Sequence, residues 1–317
     1  MQSLTLISIV VVTYNRADIL RRALESLSLL QSHSDFDLEV VVVDNASSDH
    51  TQEVIKECAL NCRFSMRSVV EPKPGIPFAR NRGVESAKGS WIAFFDDDQL
   101  AATDWLIQLF ETAKKLNVLC VGGARDLLIE TIPTPKLNAY SRQLLGENVT
   151  PHEQYYHYRF VPNTGNVLVA KEVFEKVGRF DERALDGSED ADFFYRMIRT
   201  TPSYYQPKAL VTHLISSNRL TPEYLGWIAF RHGLFYGRRD FQDNGRPMTF
   251  LLAIARWARA LVTNVPSLVI AKLSNRPWDA IGMRCKLILV YGYTTFLFND
   301  PRASAKLSEK TMHRGKG

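Results

Sequence analysis

The sequence predicts an α/β fold: a Rossmann-like sheet flanked by helices, followed by a helical carboxyl-terminal extension. Three observations lead there. Short β-branched apolar runs alternate with stretches of helical spacing through the first half of the chain. Polar and acidic residues sit at the carboxyl ends of those runs, where open α/β sheets bind ligands. From about Thr221 the alternation gives way to long helical stretches rich in Leu, Ile, Ala, Trp and Arg.

Leu6 to Val12 is the first strand, and Ala17 to Leu30 follows as a helix through Leu20, Leu24 and Leu27. Leu38 to Val43 is a strand, Thr51 to Leu60 a helix, Phe64 to Val70 a strand, and Ile76 to about Ala87 a helix. Trp91 to Phe95 is a buried-type strand, with Asp104 to Leu116 as the next helix. Such alternation predicts parallel strands joined by right-handed helical crossovers. Residues 122–160, interrupted by Pro133, Pro135 and Pro151, are expected to form an irregular connection facing substrate. Beyond it, Asn166 to Ala170 and Ala209 to Leu214 read as strands, and Lys171 to Val177 and Glu189 to Arg199 as helices.

With 317 residues, 45% of them hydrophobic, the chain has ample material for a core, which excludes disorder as a whole. Cys58, Cys62, Cys120 and Cys285 form no close CxxC pair and no disulfide framework, so a reducing compartment, the cytoplasm, is expected. The start, Met1 to Ile7, lacks the features of a secretory signal and reads as the approach to the first strand. The net charge of +5 is unevenly placed. Residues 1–220 carry 24 Lys and Arg against 28 Asp and Glu, whereas residues 221–317 carry 15 against 6. A basic carboxyl-terminal third implies an anionic partner surface, either membrane or nucleic acid.

The chemistry is most concentrated where Trp91-Ile92-Ala93-Phe94-Phe95 runs into Asp96-Asp97-Asp98. Extended backbone puts Asp96 and Asp98 on one side and Asp97 on the other, so two carboxylates can converge on a divalent cation, or on a cation and a ribose. Three adjacent like charges need a cation or donors to offset them. A solvated loop after a strand is the alternative. No GxGxxG follows the first strand and no GxxxxGK[ST] occurs, so any nucleotide is held without those phosphate cradles.

Six fragments, in order, carry a resemblance: SIVVVTYNR, VVVDNASSDHT, GIPFARNRG, GSWIAFFDDDQ, NTGNVLVAKEVFEKVGRFDE and SEDADFFYRM. Together, over about residues 5–215, the chain resembles the family 2 glycosyltransferases with the glycosyltransferase A fold. The resemblance implies a mixed sheet, a nucleotide-activated sugar donor (a UDP-sugar), Mg2+ or Mn2+, and inversion at the anomeric centre. It places Thr13, Tyr14 and Asp44 at base recognition, with Arg16 and Asn45 beside them, and Arg80 near base or diphosphate. Asp96 falls on the ribose position and Asp98 on the metal position; Asp97 belongs to the donor-side group as the bystander between them. Gly165 and Asn166 face donor or acceptor. Glu189-Asp190 match the acidic element of the reaction centre, with Asp190 as base. His213, ending a strand, reaches the metal or the diphosphate, or is a hydrogen-bonded structural histidine.

Physical chemistry supports these implied roles. A cation bridging two phosphates stabilises the charge that develops as a sugar leaves. Magnesium accepts few protein carboxylates, so one or two aspartates suffice. The acceptor hydroxyl loses its proton as it attacks, and a carboxylate is the simplest base. Acids at a helix start also complement the helix dipole, which is the structural alternative for Glu189, Asp190 and Asp192. The expected division is a catalytic domain over 1–220, with a nucleotide-sugar half to about 121 and an acceptor half over 122–220, and a basic extension over 221–317.

In that extension Thr249 to Val265 is apolar around most of its circumference, with Arg256, Arg259 and Thr263 as one polar stripe, and Pro266 interrupts it. Leu287 to Phe298 is a twelve-residue uncharged run, short of the ~18–20 residues a span needs. Trp227, Trp257 and Trp278 with nearby arginines fit a segment lying on an anionic inner leaflet, giving a peripheral protein; packing on the catalytic domain or another subunit is the alternative. Aliphatic runs between the basic residues argue against nucleic acid. The acceptor is expected to be a hydroxyl of a lipid-linked or polysaccharide glycan. A sugar-phosphate nucleotidyltransferase and a non-catalytic nucleotide-sugar-binding protein remain the competing readings.

Overall fold

The structure is a computed structural model describing residues 4–184 and 187–298. The chain divides into two compact units. One comprises the residues up to Asp126 with Asn148–Leu214; the other comprises Leu127–Glu147 with the residues from Ile215 onward. The second unit thus starts just before 220 and takes in part of the connection that the sequence assigns to the acceptor half.

The sheet is built from β1 (Thr5–Thr13), β2 (Phe36–Asp44), β3 (Ser65–Val70), β4 (Trp91–Asp96), β5 (Gln99–Ala101), β6 (Cys120–Ile129), β7 (Gln154–Tyr155), β8 (Asn166–Ala170) and β9 (Ser203–Ile215). Its order is β3-β2-β1-β4-β8-β6-β9-β5, with β7 on β9. β1 to β4 run parallel, connected through helices α1 (Ala17–Ser28), α2 (Thr51–Asn61) and α3 (Ile76–Ser86). β8 then lies antiparallel on β4, β6 on β8, and β5 on β9. The sheet is therefore mixed, and the all-parallel crossover pattern holds only for its first half.

Period-two alternation decides which residues face which layer. Ile7, Ile9 and Val11 of β1 pack with Leu20, Leu24 and Leu27 of α1, with Val54 of α2, and with Trp105 and Leu109 of α4 (Trp105–Leu116). Val10 points to the other face, against Ala79 and Val84 of α3, and this cluster continues to Phe193 and Phe194. Fully burying one such leucine contributes roughly 1.5–3 kcal/mol. Asn117 adopts the left-handed conformation, with φ of 50°, and ends α4.

Residues 122–160 are more ordered than expected. β6 runs through Gly122-Gly123 and on past Arg125-Asp126, a composition that hides a strand from any apolar pattern. α5 (Ala139–Leu144) is capped by Asn138, whose side chain accepts from the Ser141 N–H at 2.9 Å. Likewise β9 begins at Ser203 rather than Ala209, the Gln206-Pro207-Lys208 segment having masked its first half. α6 (Glu172–Val177) and α7 (Glu189–Met197) lie where the sequence puts them.

In the second unit, α8 (Pro222–Arg259) starts with Thr221 accepting from the Tyr224 N–H at 3.1 Å and Pro222 in the first turn. It bends at Gly245, whose φ of 72° and ψ of 172° are not helical. Pro266 does not interrupt the chain's helical path. A π-helical segment, Ala260–Asn264, leads directly into α9 (Val265–Leu273), where proline occupies the first turn, and the wider π turn just before it is where the ladder accommodates a residue without an N–H. α10 (Pro277–Phe298) packs on α8, and Leu127, Ile215, Leu225, Ala229 and Cys285 share one core. Buried Asp240 joins these helices: it accepts from Arg239 at 2.9 Å, from Arg256 at 3.1 Å and from the Tyr293 hydroxyl at 2.9 Å.

That network corrects the polar stripe. Arg256 turns inward to Asp240 and lies 4.4 Å from the centre of the Tyr293 ring, so the apolar side of the segment faces out. Trp227, Trp257 and Trp278 are all half-buried. Among the described residues no helix is long and apolar enough to cross a membrane.

Candidate functional site

Register aligns the carboxyl ends of three strands. Thr13 of β1 pairs with Asp44 of β2, and Val12 with Asp96 of β4. β4 ends at Asp96, so strand alternation does not continue through the triplet: Asp97 and Asp98 lie in the turn that leads to β5. Both are buried, at 5% and 4% exposure.

Asp97, the expected bystander, has close partners of its own. Its carboxylate accepts from the Thr13 hydroxyl at 2.8 Å and from Arg16 Nη1 at 2.7 Å. The same Arg16 nitrogen is 3.1 Å from Asp98 Oδ2. On its other side Asp98 Oδ1 lies 3.4 Å from His213 Nε2. Register explains this meeting across the fold: Gln99 of β5 pairs with His213 of β9, and the Leu214 N–H donates to the Asp98 carbonyl at 2.9 Å.

Asp96 faces a different set. Gln99 Nε2 is 3.4 Å from Asp96 Oδ2 and Arg125 Nη1 is 3.8 Å from it. A Cβ at Gly165 would come within 2.6 Å of Arg125, Asp96 and Gln99 alike, so glycine is what allows these groups to converge. Arg125 had no sequence signal; it becomes visible only once β6 is known to be a strand that passes beside Asp96.

Arg80 links this side to α7. It forms a buried ion pair with Glu189, and Asp190 and Asp96 add to the negative field around it. Burial alone would lower its pKa, yet Glu189, Asp190 and Asp96 together raise it. Glu189 is 2% exposed. Asp190 is only half-buried, and its Oδ1 accepts from the Ala191 N–H at 2.7 Å. Asp192 pairs with Arg196 one turn on, at 2.9 Å. Asp190 is thus partly exposed, and among the described residues no salt bridge ties it to a cation as Glu189 and Asp192 are tied.

Two of the sequence's donor-side residues have their amides committed elsewhere. Asn45 donates to the Glu71 and Lys73 carbonyls at 2.9 and 2.7 Å and accepts from the Gly75 N–H at 2.9 Å, pinning the 71–75 loop. Asn166 accepts from Trp105 Nε1 at 2.7 Å and donates to the Ala124 and Ala209 carbonyls at 2.7 and 2.8 Å, at 1% exposure. Each commits both amide hydrogens and one lone pair of its oxygen to protein, the contacts of a structural brace. Asp44, 2% exposed, accepts from the Ser47 N–H at 2.9 Å and from Gln52. Tyr14, 43% exposed, presents its ring at the end of β1.

The acidic triplet is short of positive charge. Burial and then Asp98 push up the carboxyl of Asp96, although Arg80 and Arg125 oppose them. Burial raises Asp97 to about 6 even with Arg16 against it. Conversely, Asp97 above all raises the pKa of Arg16. A site in which carboxyls are driven toward protonation is one that an added cation would relieve. Among the described residues no group of three or more His, Cys, Asp or Glu is arranged for a metal. Asp98 with His213 offers two protein donors, which fits a hard cation that completes its shell with water and substrate phosphates.

Comparison with known proteins identifies the family and the fold. The chain is 28% identical over 241 residues to the succinoglycan biosynthesis protein ExoM of Rhizobium meliloti, covering 73% of this chain and 74% of that protein. It is 25% identical over 189 residues to the glycosyltransferase AglE of Haloferax volcanii, covering 59% and 60%. In fold it resembles the mannosyltransferase PcManGT from Pyrobaculum calidifontis, solved with GDP-Man and Mn2+, with a TM-score of 0.62 at 17% identity over 94% of this chain and 88% of that one. It also resembles residues 1–349 of TarS from S. aureus, solved with UDP, with a TM-score of 0.51 at 15% identity over 92% and 90%. The glycosyl transferase family 2 model matches residues 8–177, more than half of the chain, and the protein belongs to that family of glycosyltransferases.

Proposed function

We propose that the protein transfers a sugar from a UDP-sugar, with inversion, to a hydroxyl of a lipid-linked or polysaccharide acceptor. The observation that carries this reading is Arg80: one buried guanidinium stands between Asp96 on the donor side and Glu189-Asp190 at the start of α7. Tyr14 and Asp44, at the ends of β1 and β2, hold the base, and Asp96 holds the ribose. Mg2+ or Mn2+, held by Asp98 with His213 beside it, supplies Lewis-acid stabilisation of the leaving diphosphate when bound.

Asp190 is the base. Its carboxylate takes the acceptor hydroxyl proton as the new oxygen–carbon bond forms, and the electron pair of the breaking bond leaves with the nucleoside diphosphate. A single displacement of this kind inverts the anomeric carbon. Glu189, buried against Arg80, positions the start of α7 and takes no proton from the acceptor. The reaction takes place on the cytoplasmic side of a membrane, with the basic second unit against an anionic lipid surface.

Asp190→Asn is expected to keep UDP affinity and to lose turnover by about 10²–10⁴, the usual contribution of a positioned base. Calorimetry with UDP and a coupled assay for nucleoside diphosphate release measure the two quantities. Full turnover by the variant removes Asp190 from the role, and release of pyrophosphate in place of nucleoside diphosphate identifies a nucleotidyltransferase.

A further inference from the structure

The segment after the Gly245 bend is turned inside out relative to a water-facing helix. Its Arg256 is half-buried and turned in against Asp240 and Tyr293, while Leu251, Ile254, Leu261, Val262, Ile270 and Leu273 face outward. Val262 is 75% exposed and Leu273 82%. An apolar groove of about 480 Å³ opens on the same segment, between the later part of α8 and the end of α10, with Ile254, Trp257, Leu261 and Phe298 in its walls. Its one hydroxyl, Thr294, keeps its proton within its own helix, between the Val290 and Tyr291 carbonyls, and accepts from Trp257 Nε1 at 3.4 Å. Contiguous apolar surface of this kind marks a place where something other than water is met.

Charge selects the occupant. From Asn244 to Trp278 the sequence contains Arg246, Arg256, Arg259, Lys272 and Arg276 and no Asp or Glu. With Arg256 committed inward, the other four are exposed among the apolar side chains. A second copy docking by the same face would bring like charges together around a two-fold axis. An anionic bilayer offers phosphates to the basic groups and hydrocarbon to the leucines at once.

We infer that residues 246–273 are a bilayer-insertion face: their outward apolar side chains enter an anionic leaflet, the groove seats a lipid acyl chain, and Arg259 and Lys272 meet headgroup phosphates. This rests on the membrane part of the proposed function and is independent of the transfer chemistry.

The full-length protein is sedimented with vesicles of phosphatidylcholine alone or with phosphatidylglycerol added, and UDP binding is measured in parallel. The wild type is expected to sediment at least tenfold better with the anionic vesicles. Ile254→Asp combined with Leu261→Asp lowers that binding at least tenfold, and Arg259→Glu with Lys272→Glu removes the preference for anionic lipid; UDP binding stays unchanged in both. Should the aspartate pair fail to fold, Ile254→Ser with Leu261→Ser gives the same fall. The inference is overturned if the wild type ignores both vesicles or if the aspartate pair still sediments fully. It is equally overturned if sedimentation equilibrium shows a wild-type dimer that this pair converts to monomer, since the face then belongs to a second copy. Loss of UDP binding by the wild type would sink the donor reading and leave the vesicle result standing.

Discussion

Arg80 and Glu189, 109 residues apart in sequence, form an ion pair that is almost wholly buried. Neither charge is solvated, so each depends on the other. Glu189→Ala is therefore expected to destabilise the first unit by about 3–5 kcal/mol, the cost of stranding a buried charge. Asp96 and Asp190 near Arg80 pull the value toward the lower end. Replacing both partners by methionine recovers most of the loss, as measured by urea unfolding. An unchanged midpoint in Glu189→Ala would show that the pair holds nothing in place.

Arg16 stands where a divalent cation would compete for Asp98, with Nη1 at 3.1 Å from Oδ2. Arg16→Gln is expected to raise Mn2+ affinity without nucleotide by roughly two- to fivefold, in the range of a partly exposed charge pair. Arg16→Lys keeps the charge and the wild-type affinity. Electron paramagnetic resonance of free Mn2+ measures both, and equal affinities in all three proteins would mean that Arg16 does not contend for the site.

Asn166 distinguishes a brace from a ligand. Asn166→Ala leaves Trp105 Nε1 and the Ala124 and Ala209 carbonyls without their present partner, so a loss of about 1–3 kcal/mol per buried group left unmatched is expected. UDP affinity at a temperature where the variant is folded should stay within twofold, on the order of 0.4 kcal/mol. A large fall in UDP affinity with unchanged stability would return Asn166 to the donor site.

Asp240 makes the helical unit sensitive to acid. Burial pushes its carboxyl up, but hydrogen bonds from Arg239, Tyr293 and Arg256 outweigh that and hold it below its ordinary 3.8. A carboxylate with a depressed folded pKa contributes stability that is complete above the unfolded value and is lost as pH falls through the folded one. The wild-type urea midpoint should therefore drop below about pH 4, whereas Asp240→Asn should be less stable at pH 7 and flatter across this window. Parallel slopes for the two proteins would exclude the network as the cause.

Much of the fold was legible because burial and periodicity coincide in its first half. β1, β2 and β4 are apolar runs buried on both faces, and α1 shows its core through Leu20, Leu24 and Leu27. β6 was missed because Gly122-Gly123 and Arg125-Asp126 break any apolar pattern, and with it Arg125 was lost from the site. Residue type singled out the acids but not their partners. Asn45 and Asn166 have the chemistry of ligands and the contacts of braces, and only three-dimensional neighbours separate those roles. Arg256 faces inward because of Asp240, 16 residues earlier and across the Gly245 bend, where helical spacing no longer relates two side chains.

The pairing of β5 with β9 has a bearing on how the protein is made. His213 arrives beside Asp98 on the last strand of the sheet, so a ribosome must deliver more than two hundred residues before the donor end is complete. A nascent chain that has only its first four strands already carries all three aspartates, but lacks both His213 and the α7 acids. With the roles proposed for Asp190 and His213, sugar transfer waits for the whole sheet, and unfinished chains are kept from spending activated sugar.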